Sequence, residues 1–185
     1  MTVTFLLGGA RSGKSTLAVQ MGEHHGGPVH FLATAEAFDD DLRDRIARHR
    51  AERPDGWTTE EVPVELADAV LAVPADSFLI VDCLTVWLAN LMVHAPAQSG
   101  TGGFVEHHVA RLADALRHRA GVTHAPIVVV SNEVGMGVHP ESPMGRDYRD
   151  HLGRTNQLVA AVADRSLLMV AGRALRLDNP WELLR

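Results

Sequence analysis

Five short apolar runs punctuate the chain, at Val3 to Leu7, Val29 to Ala33, Phe78 to Val81, Ile127 to Val130 and Leu167 to Val170. Each is continuous rather than alternating and has β-branched content, which suits strands buried on both faces. Between them lie stretches with the spacing of helices, at Thr16 to Met21, Phe38 to Glu52, Leu84 to Met92, Phe104 to Ala120 and Tyr148 to Ala163. Buried strands alternating with helices predict an α/β fold: a mostly parallel sheet with helices on both faces. The fifth run ends at Ala171-Gly172, and Ala174 to Leu177 then predicts a short antiparallel edge strand. Pro96 to Gly103 is small, polar and glycine-rich and reads as a mobile connection, not a boundary. With no internal repeat, 185 residues fit a single domain over 1–185 with a core that needs no disulfide or structural metal.

Ligands of such sheets gather at the carboxyl ends of the strands. The first strand runs into Gly8, Gly9, Ala10, Arg11, Ser12, Gly13, Lys14 and Ser15, which match G-x-x-x-x-G-K-[ST] at every fixed position and stand before a helix. In that context the pattern predicts a phosphate-binding loop and a P-loop NTPase-like sheet. Glycines let successive N–H groups turn inward toward phosphate oxygens, and the helix adds the positive end of its dipole. Lys14, read as an exposed loop charge, would reach the β- and γ-phosphates, while Ser15 would ligate Mg²⁺. The chain has 17 lysines and arginines in all, and Lys14 is its one lysine. A compact ammonium is kept where a planar guanidinium would not substitute. The competing reading is a glycine-rich turn that only tightens a strand-to-helix connection.

The third run ends in Asp82. Following a phosphate loop, such an acid reads as a carboxylate that holds Mg²⁺, the alternative being an N-cap for the segment Leu84 to Met92. The fourth ends in Ser131-Asn132-Glu133-Val134-Gly135-Met136-Gly137, a polar loop on the same rim.

Charge changes the picture in one place. A net charge of −6 argues against a general nucleic-acid or acidic-membrane surface, so any basic site must be local. Arg43 to Arg53 supplies one, with five arginines in eleven residues. Arg45 and His49 share a helical face there, and Arg48 and Arg50 flank the imidazole. Nearby guanidinium charge disfavours a second cation, leaving a ring nitrogen able to attack phosphorus. A solvated basic helix with an incidental histidine explains the same residues equally well. His107, His108 and His118 read as a solvated face and not a metal site, and His24 and His25 as partners of a helix dipole. A single cysteine, Cys83, excludes an internal disulfide. With no charged-then-apolar leader and no stretch of membrane-spanning length, the expected compartment is the cytoplasm.

Together these residues resemble the bifunctional adenosylcobinamide kinase / adenosylcobinamide-phosphate guanylyltransferase family. The resemblance runs from Leu6 to about Leu177. Its carriers are the loop at 8–15, Ala33-Thr34-Ala35, Asp39-Asp40, the segment from Arg45 through His49 to Trp57, Asp82-Cys83-Leu84-Thr85 with Trp87, Leu88, Asn90 and Leu91, Ser131 to Gly137, and Tyr148-Arg149-Asp150 with Gly153, Arg154, Asn156 and Gln157. Residues 94–104 and 178–185 follow no family pattern, and His139 stands where an aliphatic residue is common.

The resemblance implies phosphorylation of adenosylcobinamide by a nucleoside triphosphate, ATP or GTP, then transfer of GMP from GTP to the new phosphate through a GMP-histidine intermediate. It places the nucleophile at His49. The guanine nucleotide would lie against 8–15, Thr34, Ala35 and Glu36, against Arg50, Ala51, Glu52 and Arg53, and against Glu61 and Asp82. A homotrimer is implied as well. A monofunctional small-molecule kinase would lack the covalent GMP. A non-catalytic nucleotide-binding switch would not need the arginine-lined segment.

Overall fold

A computed structural model of the chain describes residues 2–36, 50, 53–96 and 100–184. Strands β1 (Val3–Gly8), β2 (Val29–Ala33), β3 (Thr58–Glu61), β4 (Phe78–Asp82), β5 (Ile127–Val130), β6 (Arg165–Val170) and β7 (Arg173–Leu177) form one sheet in the order β3-β2-β4-β5-β1-β6-β7. All pairs are parallel except β6 with β7. The helices are α1 (Lys14–His25), α2 (Leu66–Ala72), α3 (Leu84–His94), α4 (Thr101–Val122) and α5 (Pro143–Val162), followed by a 3-10 turn at Pro180–Leu184.

Alternate residues of the central strands feed two cores. Val3, Phe5, Leu7, Leu79, Val81, Ile127 and Val129 pack against α2 to α5, where Trp87, Leu88, Leu91 and Leu112 are fully buried. Leu6, Phe31, Phe78, Ile80, Val128 and Val130 pack against α1. Strands covered on both sides have no polar face, which is why their sequences show runs in place of alternation. No helix among the described residues is long and apolar enough to cross a membrane.

Local patterning misses two elements. β3 is a largely exposed edge strand whose Thr58-Thr59-Glu60-Glu61 has no apolar residue to announce it. α2 has only seven residues, fewer than two full turns of periodicity. Two further expectations are corrected. Thr101, Gly102 and Gly103 belong to the first turn of α4 and not to a loose connection; the buried face from Val105 to Leu116 holds the helix and outweighs the glycine cost at its end. His107 and His118 are exposed as expected, but His108 is buried, with Nδ1 3.0 Å from the Phe104 carbonyl oxygen. Residues 97–99, and all of the helix expected over 38–52 except Arg50, lie outside the described residues.

Candidate active site

Strand register gathers the predicted residues on one rim. Glu61 lies beside Ala33, Ala33 beside Asp82, Asp82 beside Val130, and Val130 beside Leu6. Glu61, the stretch Thr34 to Glu36, Asp82 and the loop from Gly8 therefore emerge at the carboxyl end of a single sheet.

The loop has the backbone its glycines allow. Gly8 and Gly13 adopt φ of 148° and 96°, and a Cβ on Gly8 would stand 2.3 Å from the Met169 carbonyl oxygen of β6. Gly13 is also the N-cap of α1. From the far side the β6–β7 turn supports the loop: Gly172 N–H donates to the Ser12 carbonyl at 3.0 Å. Ala171 and Gly172, with φ of 50° and 71°, give that turn the handedness of a two-residue hairpin.

Lys14 is not the exposed loop charge expected from the sequence. It is the first residue of α1 and only 6% exposed, because the loop folds back over the helix start. Its Nζ donates to the carbonyls of Gly8 at 3.0 Å and Gly9 at 2.7 Å, with Ser12 Oγ at 3.4 Å. Burial lowers its pKa from the ordinary lysine value, and neighbouring Cys83 and Asp82 pull in the opposite direction. Ser15 is half-buried, while Gly9, Ala10 and Arg11 form the exposed crest.

Asp82 does not cap α3. The N-cap is Cys83, one residue later, and it makes no side-chain cap bond. What fixes the chain at Asp82 is Thr34. The Thr34 hydroxyl donates to the Cys83 carbonyl at 2.7 Å and accepts from Cys83 N–H at 2.9 Å. Thr34 N–H donates to the Asp82 carbonyl at 3.1 Å. Asn90 of α3 then donates from Nδ2 to the Thr34 carbonyl at 2.7 Å and to the Pro63 carbonyl at 3.1 Å. Thr34 is fully buried with its hydroxyl, N–H and carbonyl all bonded to protein groups. It is a strap between β2 and β4. Burial, with Asp82 adjoining, pushes the Cys83 thiol up to about 11.

The arginine-rich constellation is seen only at its far end. Catalytic candidate His49, together with Ala51 and Glu52, lies outside the described residues. Arg50 Nη1 is 3.6 Å from Glu61 Oε1. The Arg53 guanidinium lies 3.8 Å from the centroid of the Phe31 ring. Trp57 presses on α1 so closely that a Cβ on Gly22 would meet its ring at 2.7 Å. Arg53 and Trp57 thus lie on the α1 side of the sheet. Glu36 Oε2 pairs with His94 Nε2 at 2.9 Å, and Ala35 beside it is half-buried.

A polar network with no role assigned from the sequence completes the rim. Beyond β5 the chain continues along the phosphate loop, Ser131 N–H donating to the Leu6 carbonyl at 2.9 Å and Glu133 N–H to that of Gly8 at 3.2 Å. Ser131 Oγ donates to Asn156 Oδ1 at 2.7 Å, and Asn156 Nδ2 donates to the Asn132 carbonyl at 3.0 Å. Thr85 Oγ1 accepts from Asn132 N–H at 2.8 Å, and Tyr148 OH donates to the Thr85 carbonyl at 3.1 Å. Burial raises the Tyr148 pKa to about 12, and Cys83 adds to it. The signal for these residues was available: Asn90 and Asn156 stand on largely apolar helix faces, where a buried amide Nδ2 seeks an acceptor. Asn156 pins the rim, whereas Arg149 bonds Asp150 and His139, and Arg154 is exposed.

Comparisons with known proteins agree in scope. The family model described as cobinamide kinase / cobinamide phosphate guanyltransferase matches residues 4–177. The bifunctional adenosylcobalamin biosynthesis protein CobP of Pseudomonas aeruginosa is 39% identical over 175 residues, covering 94% of this chain and 96% of the relative. The corresponding protein CobU of Escherichia coli is 32% identical over 176 residues, covering 92% and 96%. Among solved structures, the RadB recombinase superposes with a TM-score of 0.54 at 17% identity, covering 90% of this chain and 73% of that one, a likeness of fold.

Proposed function

Because the chain belongs to the cobinamide kinase / cobinamide phosphate guanyltransferase family, we propose that the carboxyl rim is one site serving both reactions. In the first, adenosylcobinamide is phosphorylated by ATP or GTP. In the second, GMP passes from GTP to the phosphate just made. The observation that carries this reading is the buried Lys14 inside a complete phosphate loop, with Asp82 near enough to act on its charge.

For the kinase step, loop N–H groups and Lys14 hold the β- and γ-phosphates. The substrate hydroxyl oxygen bonds to the γ-phosphorus, the bond to the β-phosphate oxygen breaks, the nucleoside diphosphate leaves, and the hydroxyl proton is released to water. Ser15 and Asp82 would hold a magnesium ion: a hydroxyl and one carboxylate are hard oxygen donors, and such ions take one or two carboxylates and complete their shell with phosphate oxygens and water. Bound there, the ion would neutralise charge on the phosphates. Gly8 to Ser15, Ala35, Glu36, Arg50 to Arg53, Glu61 and Asp82 form the nucleotide surface in this reading, and Thr34 supports it from beneath.

For the guanylyl step, a neutral nitrogen of His49 bonds to the α-phosphorus of GTP and pyrophosphate leaves. The phosphate of the substrate then displaces the histidine, giving adenosylcobinamide-GDP. A homotrimer working in the cytoplasm belongs to the same proposal. The decisive experiment is incubation with GTP labelled at the α-phosphorus. Acid-labile, alkali-stable label is expected on the protein and is absent from His49→Ala; label persisting in that variant removes His49 from the role.

A further inference from the structure

The β5 tail supplies a group that the two reactions as described leave unused. Asn132 is held at both ends of its own backbone, its N–H on Thr85 Oγ1 at 2.8 Å and its carbonyl on Asn156 Nδ2 at 3.0 Å. Its side-chain amide has no hydrogen-bond partner among the described residues, although the residue is half-buried. A backbone clamped on both sides fixes where the Asn132 Cβ stands and so limits the reach of the carboxamide.

Alternation along the strand says which way it faces. On β5, Ile127 and Val129 enter the core beneath α2 to α5, while Val128 and Val130 enter the core beneath α1. The ladder continues past the strand end, since Ser131 N–H and Glu133 N–H still bond the carbonyls of Leu6 and Gly8. Ser131 follows the first parity, its hydroxyl bonded to Asn156 of α5. Asn132 follows the second and faces the α1 side. Asp82 has the same parity on β4, two beyond Ile80 of the α1 core. Sheet order puts β5 between β1, which feeds the phosphate loop, and β4, which ends in Asp82. Asn132 is thus placed between the loop that holds the triphosphate and the carboxylate assigned to its metal, on the face that both share.

We propose that the Asn132 carboxamide is a further catalytic group of the kinase step, donating from Nδ2 to an oxygen of the phosphoryl group in transfer. This rests on the kinase reading above. Charge spreads over the equatorial oxygens in the transition state, and a donor fixed in advance lowers the barrier without reorganising. Both protons on Nδ2 stay on nitrogen, so the carboxamide acts by hydrogen bonding alone.

The test compares the parent protein, Asn132→Ala and Asn132→Asp. Phosphoryl transfer from γ-labelled ATP to adenosylcobinamide is measured beside protein labelling by α-labelled GTP. Asn132→Ala is expected to lower kcat of the kinase step about a hundredfold, with KM for ATP within about threefold of the parent. Asn132→Asp, though nearly isosteric, is expected to be slower still, because it replaces the donor with a negative charge facing phosphate. A merely structural role orders the two variants the other way, since Asp preserves the packing that Ala removes. GTP labelling in the alanine variant is expected within about fivefold of the parent, showing that the fold and nucleotide binding survive. The proposal is overturned if kcat of Asn132→Ala stays within threefold of the parent, if Asn132→Asp is the faster variant, or if both activities fall together. A parent protein that transfers no phosphoryl group defeats the underlying kinase reading instead, and is told apart from these by the parent alone.

Discussion

Replacing Thr34 with valine tests the strap that holds Asp82. Valine keeps the β-branch and nearly the volume of threonine and removes only the hydroxyl. That hydroxyl satisfies two backbone groups at once, the Cys83 N–H at 2.9 Å and the Cys83 carbonyl at 2.7 Å. A buried group stripped of its partner costs about 1–3 kcal/mol. Cys83 is only partly buried, so the lower part of that range applies to each group and the sum is about 2–3 kcal/mol. Thr34→Ser keeps both bonds and gives up one methyl group, at a cost of about 1 kcal/mol. Urea unfolding is the assay. With a slope of roughly 2 kcal/mol per molar, the valine midpoint should fall by roughly 1 M and the serine midpoint by about half that. The ordering matters more than either number, because burial and shape alone favour valine. The magnesium concentration for half-maximal kinase rate should also rise in Thr34→Val and stay near the parent value in Thr34→Ser. Should valine prove as stable as serine, with unchanged magnesium dependence, the strap contributes nothing and the reasoning fails.

Lys14→Ala should lower the kinase kcat/KM by at least a hundredfold while changing unfolding free energy by about 1 kcal/mol or less. Removal relieves a desolvated ammonium, and the Gly8 carbonyl keeps its bond from Glu133 N–H. A loss of stability of several kcal/mol would show that the ammonium is instead a structural clamp. Cys83, with its thiol raised to about 11, should resist iodoacetamide near pH 8, because only the thiolate attacks. Mass spectrometry should find alkylation about two orders of magnitude slower in the folded protein than in urea, with the folded rate climbing as pH rises toward 11. Equal rates in both states would mean that the sulfur is not held as described.

Much of this architecture can be read from local pattern, for a physical reason. A strand sandwiched between two helical layers is apolar at nearly every position, so β1, β2, β4 and β5 announce themselves within a residue or so of their observed ends. The phosphate loop is legible because its glycines answer to backbone geometry, Gly8 and Gly13 having φ values that other residues rarely adopt. Elements stabilised from outside are not legible. β3 takes its hydrogen bonds from β2 and leaves its side chains largely exposed, so Thr58 to Glu61 needs no hydrophobic residue. The burial of Lys14 depends on carbonyls that converge only once the loop has closed. Thr34 illustrates the same limit: its motif places it at the end of β2, but whether a threonine there meets ligand or protein depends on which strand lies alongside.

That neighbour is decided by strand order, and the order has a chemical consequence. β5 separates β1 from β4, so the phosphate loop and Asp82 stand on strands that never pair. Their relative position must be set by what lies between and around them. Thr34 sets Asp82 from the β2 side through Cys83, and Thr85, just past Cys83 in α3, ties the same stretch to Asn132 on the β5 side. Glu133 N–H then ties the β5 tail to Gly8. One continuous chain of hydrogen bonds thereby runs from β2 to the phosphate loop across strands whose order in sequence is unrelated to their order in space. A displacement anywhere along it changes the separation between the ammonium of Lys14 and the carboxylate of Asp82. It follows that Thr34, Thr85 and Asn156, none of them placed in contact with substrate here, should share a kinetic signature distinct from that of Lys14: a higher magnesium requirement with nucleotide affinity retained.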